Sequence, residues 1–136
     1  MAKRNYEVLE HPADLKIRAY GHDLKEVFSN MLRGMFETCR PELVDQKPVI
    51  RNIQIKAGDL ESLLMDFLSR ALYLSDINNE IYQSVDFEAM TGRELRGKIK
   101  GWKFKKLQTE IKAVTWYDIK IEKKDNLWMA TVLFDI

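Results

Sequence analysis

The sequence predicts an α+β fold: a single domain over residues 1–136, with two amphipathic helices packed on a mixed, largely antiparallel sheet. Three observations carry this. Two segments repeat apolar residues at helical spacing. Almost all of the remainder alternates, or gathers β-branched and aromatic residues, between turn signals. The resulting order, β-β-α-β-α-β-β-β-β, mixes hairpins with two helices and does not alternate strand with helix as a doubly wound parallel sheet would.

Taken in order, Tyr6–Leu9 and Leu15–Tyr20 read as strands around the short segment Glu10-His11-Pro12-Ala13-Asp14. The first helix places Leu24, Val27, Phe28, Met31, Leu32, Met35 and Phe36 on one face, and Asp23 with Glu26 forms an acidic variant of the capping box. Val49–Ala57 alternates through Arg51, Ile53 and Ile55 as a strand. The second helix repeats the pattern with Leu60, Leu63, Leu64, Phe67, Leu68, Ala71 and Leu72, behind Asp59 as N-cap. Both apolar stripes are core faces. Ile81–Met90 alternates through Val85, Phe87 and Ala89, and Thr91-Gly92 turns it into Glu94–Gly101. Ile111–Glu122 is a further strand, and Asp125-Asn126 turns into Leu127–Ile136. No repeat, linker or low-complexity tract interrupts the series.

Composition narrows the function. The chain has 136 residues and 16.0 kDa, of which 46% are hydrophobic and 32% charged, the balance of a globular protein with one core. With 22 Lys+Arg against 21 Asp+Glu, it has no whole-molecule electrostatic grip on nucleic acid or an anionic membrane. No apolar run approaches the roughly 18 residues of a spanning helix. Met1-Ala2-Lys3-Arg4 is basic but lacks the apolar core of a signal peptide behind it. A single cysteine, Cys39, allows no internal disulfide and no Cys-rich zinc site. A cytoplasmic, reduced protein is the expectation. There are two histidines, His11 and His22, and no Gly-rich phosphate loop, GxSxG, HExxH or CxxC. Cys39, beside Arg40, reads as an inert and partly buried thiol. A self-sufficient enzyme is not expected.

Three places invite chemistry. The last strand is apolar on both faces, as a central strand is, yet it closes on Asp135 and the Ile136 carboxylate. Neighbouring anions in an apolar strand repel each other and resist desolvation, so the end is solvated, salt-bridged or bound to a divalent cation such as Ca²⁺ or Mg²⁺. The first loop offers His11 and Asp14 three residues apart, as surface and turn residues or as a metal or base pair. Finally, Arg93–Lys112 holds Arg93, Arg96, Lys98, Lys100, Lys103, Lys105, Lys106 and Lys112 against Glu94 and Glu110, a local charge of +6. Trp102 and Phe104 interleave these lysines. The stretch is a solvated strand face with a lysine-rich loop, or a single-strand nucleic-acid groove. Its compensating charge is expected elsewhere on the surface.

These residues resemble a known family. Tyr6-Glu7-Val8-Leu9-Glu10-His11-Pro12-Ala13-Asp14, followed by Ile17-Arg18-Ala19-Tyr20-Gly21, is similar to the archease signature His-Thr-Ala-Asp and Ala-Tyr-Gly. Leu24–Phe28 through Gly34-Met35-Phe36, Asp59–Leu68, Ile111-Lys112-Ala113-Val114-Thr115 and the closing Asp135-Ile136 match later blocks of the same family. Three positions depart from its pattern. Pro12 replaces Thr, Gly101-Trp102 replaces Gly-Glu, and Trp116-Tyr117 replaces Tyr-His.

The resemblance implies an accessory protein and not an enzyme. It would activate the RtcB-type RNA ligase that joins 2′,3′-cyclic phosphate or 3′-phosphate RNA ends to 5′-hydroxyls, as in tRNA splicing. Its action would promote guanylylation of the ligase from GTP and multiple turnover. It implies a divalent ion, Ca²⁺ first with Mg²⁺ or Mn²⁺ as alternatives, on Asp14, Asp135 and Ile136. His11 would orient the loop, touch the ligase or be structural, and Lys112 would neutralise the acids or touch phosphate. Asp66 and Asp118 are candidate partner contacts. Contact with tRNA or other RNA would be indirect, and no membrane is involved. The alternatives are an RNA-binding chaperone or modulator of a tRNA-modifying enzyme, gripping through Lys98, Lys100, Lys103, Lys105 and Lys106, and a metal-dependent hydrolase on His11, Asp14 and Asp135.

Overall fold

The computed structural model describes residues 5–9, 11 and 13–136. The basic start of the chain, and Glu10 and Pro12 of the first loop, lie outside the described residues. Among the described residues, seven strands and two helices follow the expected order: β1 (Tyr6–Leu9), β2 (Leu15–Gly21), α1 (Leu24–Glu37), β3 (Pro41–Lys56), α2 (Leu60–Asn78), β4 (Glu80–Met90), β5 (Glu94–Leu107), β6 (Ala113–Lys124) and β7 (Leu127–Asp135).

The strands form two sheets, and every pairing in them is antiparallel. One runs β1-β2-β7-β6, the other β3-β5-β4. α1 contacts both β2 and β4, and α2 contacts both β6 and β4, so the helices join the two sheets through one core. Phe28, Met31, Leu32 and Met35 of α1 and Leu63, Leu64, Phe67 and Leu68 of α2 have no exposure. They meet Ile17, Ala19, Ala130, Val132 and Phe134 from one sheet and Ile53, Leu95 and Ile99 from the other.

Local chemistry sets the boundaries. Asp23 Oδ1 accepts the Glu26 N–H at 2.8 Å and Asp59 Oδ1 accepts that of Ser62 at 2.8 Å, so both expected N-caps form. Glu26 reaches back one residue beyond the cap, accepting the His22 N–H at 3.1 Å. α2 ends where Asn79 turns left-handed at φ 56°, a conformation Asn tolerates better than most residues. Asp125 and Asn126, at φ 51° and 65°, make the two-residue hairpin between β6 and β7.

Two strands are longer than the sequence pattern suggested. β3 begins at Pro41 and not at Val49, because it is an edge strand, where Pro41 and Pro48 withhold no needed hydrogen bond. β5 continues to Leu107, so the lysines after Gly101 stand on the middle strand of a sheet and not in a loop.

Candidate functional site

β7 lies between β2 and β6, and the two registers fix what gathers at its end. Leu15 pairs with Phe134 on one side and Ala113 with Asp135 on the other. Asp14 is therefore the residue just past the last β2–β7 pair, and Asp135 and Ile136 continue β7 beyond it. From the other flank, the Lys112 N–H donates to the Asp135 carbonyl at 2.7 Å. Residues from both termini and from the 108–112 segment thus meet at one end of the four-stranded sheet.

His11 and Asp14 are brought together, with Nδ1 and Oδ2 at 3.5 Å and both side chains about a quarter to a third exposed. Between them Ala13 sits at φ 65°. A left-handed alanine costs on the order of 1–2 kcal/mol, which the surrounding fold must supply. Asp135 and Ile136 are exposed, as a solvated strand end requires. Among the described residues, no group of three or more His, Cys, Asp or Glu side chains is arranged to hold a metal ion. The chemistry of the local donors, two carboxylates and main-chain oxygen, is nevertheless that preferred by hard divalent cations.

β6 is not a continuous strand over this region. Between Thr115, opposite Leu133, and Lys120, opposite Thr131, four residues stand against one. This bulge, opposite Val132, projects Trp116 and Tyr117, which are 56% and 67% exposed. Asp118 sits in it at φ 60° and meets Lys16 of β2 at 3.9 Å, across β7. Asp66 is exposed on α2 beside Lys56 and Arg70.

Part of the basic stretch is paired with acids of the neighbouring strand β4. On the outer face of β3-β5-β4, Lys100 pairs with Asp86 at 2.5 Å, Arg96 with Glu88 at 3.8 Å and Glu94 with Lys56 at 3.7 Å. Cross-strand partners on β4 and β3 put opposite charges side by side. Lys98, Lys103, Lys105 and Lys106 are exposed. Trp102 and Phe104 pack against the core and do not stand free between them.

Sequence reasoning passed over the most enclosed charge among the described residues. Glu80 has no exposure and accepts two bonds from Arg51, at 2.8 and 2.7 Å, and one from the Tyr82 hydroxyl at 2.7 Å. Burial pushes its carboxyl up, but the bonds from Arg51 and Tyr82 outweigh that and hold it below the usual value. The partner, Arg51, lies 29 residues away, so no local signal could reveal the pair. Cys39 is buried, as expected of an inert thiol. Its Sγ donates to the Met35 carbonyl at 3.4 Å, and burial pushes the thiol up to about 11.

Comparison with known proteins matches residues 6–136 to the Archease protein family (MTH1598/TM1083). The chain belongs to the archease family. It is 38% identical to a protein archease of Pyrococcus furiosus, covering 98% of this chain and 99% of that one. Its identity to a protein archease of Methanosarcina acetivorans is 36%, over 98% and 97%. Among solved structures, Methanobacterium thermoautotrophicum protein 1598 superposes with a TM-score of 0.75 at 32% identity, over 98% of this chain and all of that one. A Thermotoga maritima protein described as an archease, possible chaperone, shares the fold with a TM-score of 0.69 at 23% identity, over 94% of each chain. The archease fold therefore accounts for both sheets and both helices. Among the described residues, no helix is long and apolar enough to cross a membrane.

Proposed function

We propose that this archease-family chain is a non-catalytic activator of an RtcB-type RNA ligase, working in the cytoplasm in tRNA splicing or RNA repair. It promotes GTP-dependent guanylylation of the ligase and multiple turnover. The observation that supports this most directly is the meeting of Asp14, Asp135, Ile136 and Lys112 at one sheet end, where the registers on both sides of β7 converge. Asp14, Asp135 and Ile136 would hold a divalent ion, Ca²⁺ first among Ca²⁺, Mg²⁺ and Mn²⁺, which would supply positive charge at a triphosphate. His11, 3.5 Å from Asp14, orients that carboxylate. The Lys112 ammonium adds a cation for phosphate from the opposite flank. The bulge with Trp116, Tyr117 and Asp118 faces the ligase.

The test is ligase guanylylation and multiple-turnover joining by the ligase of the same organism, with and without this protein. Stimulation at substoichiometric amounts, lost in Asp14→Ala and in Asp135→Ala while both remain folded, is the expected outcome. No stimulation by the unaltered protein would overturn the reading. The competing RNA-chaperone reading needs the lysines of β5 as a nucleic-acid groove. The ion pairs at Arg96 and Lys100, and the packing of Trp102 and Phe104 into the core, weigh against it. That reading requires RNA binding by the protein alone with a steep salt dependence.

A further inference from the structure

Leu133 is almost fully buried, at 4% exposure, yet it does not belong to the central core. Its neighbours Val132 and Phe134 fill that core, so strand alternation turns Leu133 to the opposite, outer face of the four-stranded sheet. Both helices pack on the inner face, against Ile17, Ala19, Val132 and Phe134. The cover over Leu133 therefore comes from the sheet itself. Its cross-strand partners are Lys16 on β2 and Thr115 on β6. Thr115 is also where β6 leaves the ladder: residues 116–119 have no register partner on β7, and pairing resumes at Lys120. Asp118, within this excursion, turns left-handed at φ 60° and brings Oδ2 to 3.9 Å from Lys16 Nζ. β2 and β6 stand two strand spacings apart, about 9–10 Å, with β7 between them. An ion pair joining them closes over the outer face of β7, at the level of Leu133. The Lys16 side chain is itself only 24% exposed, as a residue lying under such a cover must be.

We propose that residues 116–119 are a strap, latched over Leu133 by the Lys16–Asp118 pair, which opens about Thr115 and Lys120 while the rest of the sheet stays folded. Three features make opening a local event. The strap breaks no ladder pair when it lifts, because it makes none. Its latch is a single partly exposed ion pair, weak in water and screened by salt. Trp116 and Tyr117 are already exposed, so lifting uncovers Leu133 and little else that is apolar. The two states offer different surfaces. Closed, the strap holds the two aromatic side chains outward and commits the Lys16 ammonium to Asp118. Open, Leu133 becomes an apolar seat two residues from Asp135, and the Lys16 charge is released two residues from Asp14. The strap thus decides which groups border the acidic end. This concerns the chain alone and stands whether or not a ligase is stimulated.

The experiment is labelling of the full chain carrying Leu133→Cys with an uncharged thiol reagent, read by peptide mass spectrometry. Native Cys39, 1% exposed, is the internal reporter of global opening. The thiol at position 133 should label at least about tenfold faster than Cys39, and more slowly than in the denatured chain. Asp118→Asn and Lys16→Met should each speed it by a factor of about two to five. These two variants change the local charge in opposite senses, so a shared acceleration reports opening and not a change in thiol ionisation. Asparagine tolerates the left-handed turn at 118, so that variant removes the charge and keeps the backbone. Raising salt from about 50 mM to about 0.5 M should also accelerate labelling, and should do so no longer once Asp118→Asn is present. In the unaltered protein, NOEs from the Leu133 methyls to protons of residues 116–119 are expected, which tests the cover without the cysteine variant. Labelling at 133 no faster than at Cys39 or as fast as in the denatured chain would overturn the proposal. So would opposite effects of the two variants, unchanged rates in both, or absence of the NOEs.

Discussion

Glu80 and Asp14 show how differently two acids can be used. Asp14 is about a third exposed beside His11, whereas Glu80 is enclosed and held by Arg51 and Tyr82. Removing the enclosed carboxylate strands Tyr82 and Arg51. Glu80→Ala should therefore cost about 2–4 kcal/mol in denaturant unfolding, below a fully sealed pair because Arg51 is 39% exposed. The folded carboxyl lies below its unfolded value of 4.5, so its stabilisation is complete above that pH. It is lost as pH falls through the lower folded value. Glu80→Gln should flatten the acid limb of a stability–pH profile. Cys39 gives a second test at this scale. With its thiol pushed up to about 11 inside the core, it should react with a thiol reagent at mildly alkaline pH only slowly, and rapidly once the protein is denatured. The pairing of His11 with Asp14 was legible because both lie in one short loop. Glu80 was not, because what makes its burial tolerable comes from β3.

At the scale of elements, the close approach of β4 to β5 depends on two glycines. Each faces a register shift in β4: Gly101 opposite Tyr82, and Gly97 opposite Phe87. A Cβ at Gly101 would overlap the Ile81 carbonyl, and one at Gly97 that of Asp86. Gly101→Ala should therefore destabilise by about 1–3 kcal/mol, the cost of overpacking, measured by the shift in denaturant midpoint. Gly58→Ala, where the added carbon meets nothing within 4 Å, is the control. Helix positions and caps were readable because an N-cap and an apolar stripe are short-range signals. The length of β3 was not, since prolines at an edge look like strand breakers until the pairing is known. The bulge in β6 was equally hidden. Trp116 and Tyr117 read as ordinary strand aromatics, and only the pairing with β7 shows four residues opposing one.

For the whole molecule, the shared core decides how it comes apart. Each helix contacts both sheets, so neither sheet keeps a buried face without the other. Heat or denaturant should give one transition, with calorimetric and van't Hoff enthalpies equal and with probes on Trp128 and Tyr82 coincident. Two resolved transitions would contradict the common core. The α+β class and the element order were legible in the pattern of periods. The division into two sheets was not, because strand order depends on pairings between distant segments.

One such pairing bears on biosynthesis. β2 is joined to β7 over a separation of 113 residues at the Arg18–Thr131 bond, and β7 is also the strand that carries Asp135. A nascent chain that has released β1, β2 and both helices still has an open edge on β2, and no acidic end to present. The end of the four-stranded sheet where Asp14, Asp135 and Lys112 meet thus forms only once β7 has been made. The same wait leaves β2 exposed to mispairing during synthesis, a burden that falls on the cell's folding machinery and grows with slower translation.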